Sequence, residues 1–131
     1  MDFTQFCANG TKYSHRYISG DKDIKLFLIH FKPKIKSNFP PVIFISGWGS
    51  IIDSWNVVLK EMTKDFEVYY LETREKSSSV HINKQPLTIE SLGDDLPYVL
   101  SELNTAPLAS NTVSPFQLLP ELDNPGILIL L

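Results

Sequence analysis

The sequence predicts an α/β fold: an N-terminal antiparallel hairpin leading into a mostly parallel sheet flanked by helices. Three observations carry that expectation. Two β-rich runs flank a turn near the N-terminus, a wholly apolar tetrapeptide ends in a glycine-rich stretch, and helical and strand patterns then alternate.

The hairpin comes first. Residues 12–18 and 24–31 are rich in β-branched and aromatic residues, and Ser19-Gly20-Asp21-Lys22-Asp23 between them is turn chemistry. In the second arm Leu26 and Leu28 fall on one side while Phe27, Ile29 and Phe31 fall on the other, so both faces are expected to be covered. Residues 32–41, with lysines and three prolines, read as a connector. Val42-Ile43-Phe44-Ile45 is the continuous apolar run of a strand buried on both faces, the expected centre of the sheet. It stops at Ser46-Gly47-Trp48-Gly49-Ser50, where the two glycines are expected to allow backbone shapes closed to other residues.

A helix follows, with Trp55, Val58, Leu59 and Met62 at helical spacing and Asp53 or Ser54 as the expected cap. Residues 66–71 form the next apolar strand, completing a parallel strand-helix-strand crossover. After a polar loop over residues 72–85, a second helix is expected from near Thr88, its apolar side formed by Ile89, Leu92, Leu96, Val99, Leu100 and Leu103. Pro97 removes the amide that would bond the carbonyl of Gly93, which predicts a kink or a restart capped by Asp94 or Asp95. Residues 1–103 are expected to form one unit, 104–126 a loop or poorly ordered segment, and 127–131 a last strand.

Composition narrows the function. With 131 residues and 43% of them hydrophobic, the chain can build a real core. A net charge of -3, with both signs mixed, leaves no basic stripe for tracking phosphates, so no nucleic-acid partner is expected. The lone Cys7 can form no intramolecular disulfide, and no Cys/His spacing fits a structural metal site, so neither metal nor cofactor is expected. No leader or membrane-spanning run stands out, so no membrane partner is expected and a cytoplasmic location is the default.

Taken together, residues 42–55 and 72–79 resemble the first half of an α/β-hydrolase. In that family a buried strand ends in a His-Gly-x-Gly-like loop, a helix with an early Trp follows, and the next strand ends in an Asp-x-Arg-Gly-x-Gly-x-Ser-like turn. Here the corresponding residues are Ser46-Gly47-Trp48-Gly49-Ser50, then Trp55, then Glu72-Thr73-Arg74-Glu75-Lys76-Ser77-Ser78-Ser79. Ser46 stands where the family has histidine, Glu72 where it has aspartate, and Glu75 and Ser77 where it has glycines. The resemblance covers roughly residues 10–103. It implies a partial α/β-hydrolase fold, a small-molecule acyl substrate for the complete form, and one specific donor: the backbone N–H of Trp48, the oxyanion-hole candidate. Ser46, Gly47 and Gly49 would support that loop, and Glu72 and Arg74 would belong to the second. Backbone amides suit that task because they are already oriented when charge develops on a carbonyl oxygen.

The same resemblance requires a nucleophile on a sharp strand-to-helix turn, usually Gly-x-Ser-x-Gly, and this sequence has none. Ser91 in Ile89-Glu90-Ser91-Leu92-Gly93 lacks the first glycine and a preceding buried strand, so it reads as an ordinary helix residue. The family's base histidine and acid come later still, so no catalytic residue is expected in this chain. Either the elbow would follow residue 131 or the tail diverges from the family after residue 103. His15, His30 and His81 read as hairpin or surface residues, Asp94-Asp95 as a cap or solvated pair, and Cys7 as a packing residue.

Two other readings compete. Gly47-x-Gly49 between strand and helix, with acidic Glu72 after the next strand, imitates a dinucleotide fingerprint, although Ile52 occupies the third glycine's position. A hydrolase scaffold without its machinery could instead serve as an interaction module, with an exposed sheet edge as its self-association surface.

Overall fold

A computed structural model describes residues 1–81, 87–103 and 128–130. Strand β1 (Lys12–Ser19) pairs antiparallel with β2 (Ile24–Lys32). Strand β3 (Val42–Ile45), helix α1 (Asn56–Met62) and β4 (Val68–Leu71) make the crossover, with β3 and β4 parallel and adjacent. Short β5 (Val80–His81) pairs with the start of β2. Helix α2 (Ile89–Glu102) follows, and β6 (Leu128–Leu130) lies parallel to β3 on the side away from β4. The sheet order is β1-β2-β4-β3-β6.

Alternation along the central strands sorts the core onto two faces. Phe27, Ile29, Phe31, Val42, Phe44, Val68 and Tyr70 face α1 and the N-terminal segment, where they meet Leu59, Phe3, Phe6 and Cys7. Leu26, Leu28, Ile43 and Leu71 face α2 and meet Leu96, Val99 and Leu100. Each such side chain contributes about 1.5–3 kcal/mol by leaving water. The double coverage expected for β2 is therefore present, and the hydrophobic run at residues 42–45 is an interior strand, flanked on both sides by parallel neighbours.

The helices differ from expectation in three places. Neither Asp53 nor Ser54 caps α1, because Ile52–Trp55 winds as a 3-10 turn and places Trp55 at the N-cap, with no side-chain cap. Val58 is exposed, so Leu59, flanked by Trp55 and Met62, carries the buried side of α1. Pro97 lies inside a single helix, with neither a restart nor a cap at Asp94 or Asp95. Only one hydrogen bond is forfeited there, and packing of Leu96, Val99 and Leu100 on both sides of the proline holds the helix together. The helix starts near Thr88 as expected, and Thr88 is its N-cap through a capping box: it accepts from the Ser91 amide, and Ser91 Oγ accepts from the Thr88 amide. Ile89 at the first position points outward and is exposed.

Strand β4 begins at Val68 rather than at residue 66. Phe66 still belongs to the exit of α1, its amide bonded to the Met62 carbonyl and its ring stacked on Phe39. The expected loop at 104–126 lies outside the described residues.

Candidate functional site

The loop after β3 is built around one carbonyl. Ser46 continues the ladder through its amide to the Leu71 carbonyl, and the chain then turns over residues 47–50 with the Ser50 amide bonded to the Gly47 carbonyl at 3.1 Å. Gly49 has φ +71°, as the third residue of a type II turn requires, so its glycine is conformationally necessary. Gly47 does not share that need: its φ is not positive, and a Cβ there would meet only Ser50 Oγ at 3.9 Å. The expectation that both glycines adopt shapes closed to other residues thus holds for Gly49 alone.

The Gly47 carbonyl accepts two further hydrogen bonds, from Ser50 Oγ at 2.7 Å and from Lys76 Nζ at 2.8 Å. Trp55 Nε1 in turn donates to Ser50 Oγ at 3.2 Å, so the early Trp of the helix region braces the loop. The amide of Trp48 belongs to the same turn, outside regular secondary structure, and donates to no acceptor among the described residues. Its indole is 58% exposed and does not pack in the core.

Beside this loop a cleft of about 240 Å³ opens between the C-terminal ends of β3 and β4 and the first turns of α2. Ile45, Leu71, Leu92 and Leu96 supply its apolar walls, and Gly47 and Trp48 form part of its rim. Ser46 is buried, and its hydroxyl lies beside the phenol of Tyr70 without a well-formed hydrogen bond. Burial pushes that phenol up to about 12, with the Ser46 hydroxyl pulling the other way.

The second loop, residues 72–79, divides its work. Glu72 bonds through its amide to the Phe27 carbonyl, and its carboxylate accepts from the Ser78 hydroxyl. Arg74 is 2% exposed and is directed at Asp95, donating from Nε at 2.8 Å and from a terminal nitrogen at 2.7 Å. Asp95 also accepts from the Asp21 amide at 2.8 Å, and its Oδ1 would lie 2.6 Å from a Cβ at position 20. Gly20 is therefore required by the close approach of a carboxylate, and the left-handed turn positions fall instead on Lys22 and Asp23. This corrects the reading of Asp94-Asp95 as a cap or solvated pair: Asp95 is 3% exposed and joins the hairpin tip, the second loop and α2. The sequence signal was present in Arg74, whose partner the 21-residue separation concealed.

Further along, Glu75 accepts from Thr73 Oγ1 at 2.7 Å and from Lys76 at 2.8 Å. Burial works against its charge, but these donors hold the carboxyl below its usual range. The glycine-free sequence at Glu75 and Lys76 thus makes a buried ion pair that reaches the first loop.

The remaining titratable residues lie elsewhere. His30 bonds Glu67 at 2.6 Å and stacks on Tyr69. Its pKa is lowered by burial, with Glu67 opposing. His15 packs against Phe3 and Phe27. Cys7 is buried among Phe3 and Phe6, and burial pushes its thiol up. Ser91 is buried and occupied by the capping box. Among the described residues no helix is long and apolar enough to cross a membrane, and no three His, Cys, Asp or Glu cluster in a way that could hold a metal.

The fold, with its antiparallel lead-in and parallel centre, superposes on those of solved α/β hydrolases. The Cif epoxide hydrolase from Acinetobacter nosocomialis superposes with a TM-score of 0.56 at 23% identity, over 76% of this chain and 29% of that one. An α/β hydrolase from Novosphingobium aromaticivorans gives 0.59 at 20% identity, over 70% and 32%. A bacterial membrane phospholipase A gives 0.54 at 14% identity, over 71% and 29%. The chain thus spans about a third of the length of these relatives in fold. No family model and no curated protein sequence matches it. The chain has the fold of the N-terminal portion of an α/β hydrolase, and its scaffold is hydrolase-like.

Proposed function

We propose that this chain carries the oxyanion-binding half of an acyl-hydrolase site, esterase-like in its complete form, with the Trp48 amide as donor. The observation that carries this reading is that amide: unbonded, set on a braced turn at the mouth of a central parallel strand, beside an apolar cleft. A tetrahedral oxyanion needs a fixed donor next to a space for the acyl chain, and residues 46–50 with the cleft supply both. Strand β6 runs parallel to β3 in register Phe44↔Leu130, so its C-terminal end opens at the same edge of the sheet as Trp48. Arg74 and Glu72 support the site from the second loop through structure rather than contact with substrate.

No nucleophile, base or acid of the hydrolase pattern is present in the 131 residues, so the chain is proposed to be inactive alone. Two measurements test the reading. Titrating hexanoate into the chain while following amide and methyl resonances is expected to shift Trp48 N–H together with Leu92 and Leu96. Shifts confined to other regions would overturn the assignment. On short aryl esters the chain is expected to show no turnover, and turnover abolished by a serine-directed inhibitor would contradict the missing nucleophile.

A second reading rests on a different observation: β1 lies at one end of the sheet order, with its outer edge unpaired among the described residues, so self-association through it is the alternative. Its exposed Lys12 and Arg16 oppose such pairing. Light scattering that gives a monomer at high concentration removes it.

A further inference from the structure

We propose that Lys76 is a positioning residue for the oxyanion loop, acting through the Gly47 carbonyl to orient and polarise the Trp48 amide. This inference rests on the reading of Trp48 as the oxyanion donor and adds the residue that sets it.

The carbonyl of Gly47 and the N–H of Trp48 are the two ends of one peptide unit. No cis peptide occurs among the described residues, so this unit is planar and trans, and its N–H points opposite to its C=O. Whatever holds the Gly47 oxygen therefore aims the Trp48 hydrogen. Three donors converge on that oxygen: the Ser50 amide at 3.1 Å, Ser50 Oγ at 2.7 Å and Lys76 Nζ at 2.8 Å. The first two lie within the turn and hold it locally. Lys76 is the one that reaches across, 29 residues on, and fastens the turn to the loop after β4.

Lys76 is also the charged donor of the three. Hydrogen bonds from an ionised group are about twice as strong as neutral ones. Their effect passes through the peptide, because electron density drawn toward the carbonyl oxygen leaves the N–H a better donor. The ammonium is suited to this by its surroundings: its side chain is 8% exposed and Glu75, 9% exposed, sits 2.8 Å away. Glu75 is held in turn by Thr73. The pair is thus electrically balanced beside the loop, so it adds direction to the amide without adding net charge that would capture anions at random.

The test uses the full 131-residue chain and the Trp48 amide resonance, whose position reports hydrogen bonding to the carbonyl of its own peptide. Lys76→Met is expected to move the Trp48 N–H signal upfield and to lower its backbone order, and Lys76→Arg to restore both. Ser50→Ala is expected to shift the same signal in the same direction. A change in melting temperature with the Trp48 signal unmoved would reduce Lys76 to a stabilising residue and overturn the proposal, as would failure of arginine to rescue. Should Lys76→Met not fold, Lys76→Gln, which keeps a polar head in the same space, carries the comparison, with a partial upfield shift expected and an unmoved signal again overturning it. The two ideas fail separately: hexanoate that leaves Trp48 untouched in the parent chain sinks the oxyanion reading, whereas the Lys76 series reads the peptide with no ligand present.

Discussion

The two faces of the sheet are held by different physics. Toward α1 the core is aromatic and closed: Phe44 stacks on Tyr70 with ring centroids 5.8 Å apart and meets Trp55 edge-on at 5.0 Å. Toward α2 the core is aliphatic, and at its upper end sits the buried Arg74–Asp95 pair beside an open cleft. Dispersion and burial are undirected, so the α1 face can be sealed by shape alone. The α2 face must leave room at the strand ends, and directional charged bonds keep the parts bordering that room in place.

The largest effect expected from this contrast is at Asp95. Asp95→Ala removes the acceptor for both Arg74 and the Asp21 amide, and loss of one partner of a buried pair costs about 3–5 kcal/mol. Denaturant unfolding measures it, and a cost under about 1 kcal/mol, the size of an exposed ion pair, would erase the distinction between the faces. Leu59→Ala on the α1 face should cost about 2–5 kcal/mol through transfer and cavity terms. It should leave the Asp21 amide protected from exchange, whereas Asp95→Ala should expose it. Smaller again is the loop pair: Gly49→Ala is expected to cost about 1 kcal/mol because of its positive φ, and Gly47→Ala close to nothing. Equal costs would show that the turn is not of the type described.

Protonation sharpens the comparison. His30 and Glu75, both outside the aromatic core, have folded pKa values lowered from 6.5 and 4.5. Their unfolded forms bind protons first, so the stability they contribute is present above those values and declines as pH falls below 6.5 and then below 4.5. Tyr70 in the aromatic core is raised from 10 to about 12, so its contribution is present below pH 10 and is lost as pH rises from 10 toward 12. Tyr69 on the other face shifts in the same direction. Melting temperature measured across pH should therefore fall at both ends, and Tyr70→Phe should soften only the alkaline fall.

What the sequence disclosed follows the same division. Period-two alternation in β2 and the unbroken run in β3 are local signals that burial alone accounts for, and helical spacing marks the start of α2 near Thr88. The loop holding Trp48 was legible too, because glycines after a buried strand have few uses. Asp95 was not, since nothing within its own helix distinguishes a solvated carboxylate from one aimed at Arg74 across the fold. Lys76 was equally silent: a lysine in a polar loop reads as surface until its partner carbonyl is placed 2.8 Å away. The restart that Pro97 suggests is absent for the opposite reason, as packing on both sides carries one helix through the proline. Residues 105–125, where the sequence lacks period, are not among those described.

The bonds at Asp95 also bear on the order in which the chain can be completed during synthesis. Its carboxylate secures the backbone at residue 21, 74 positions earlier, so this tether can form only after α2 has emerged from the ribosome. Until then Lys22 and Asp23 have only the hairpin itself to keep them in left-handed backbone. A nascent chain stalled before residue 95 would therefore carry a hairpin closed by its own Gly20–Ile24 and Ile24–Asp21 backbone bonds but without this tether to α2.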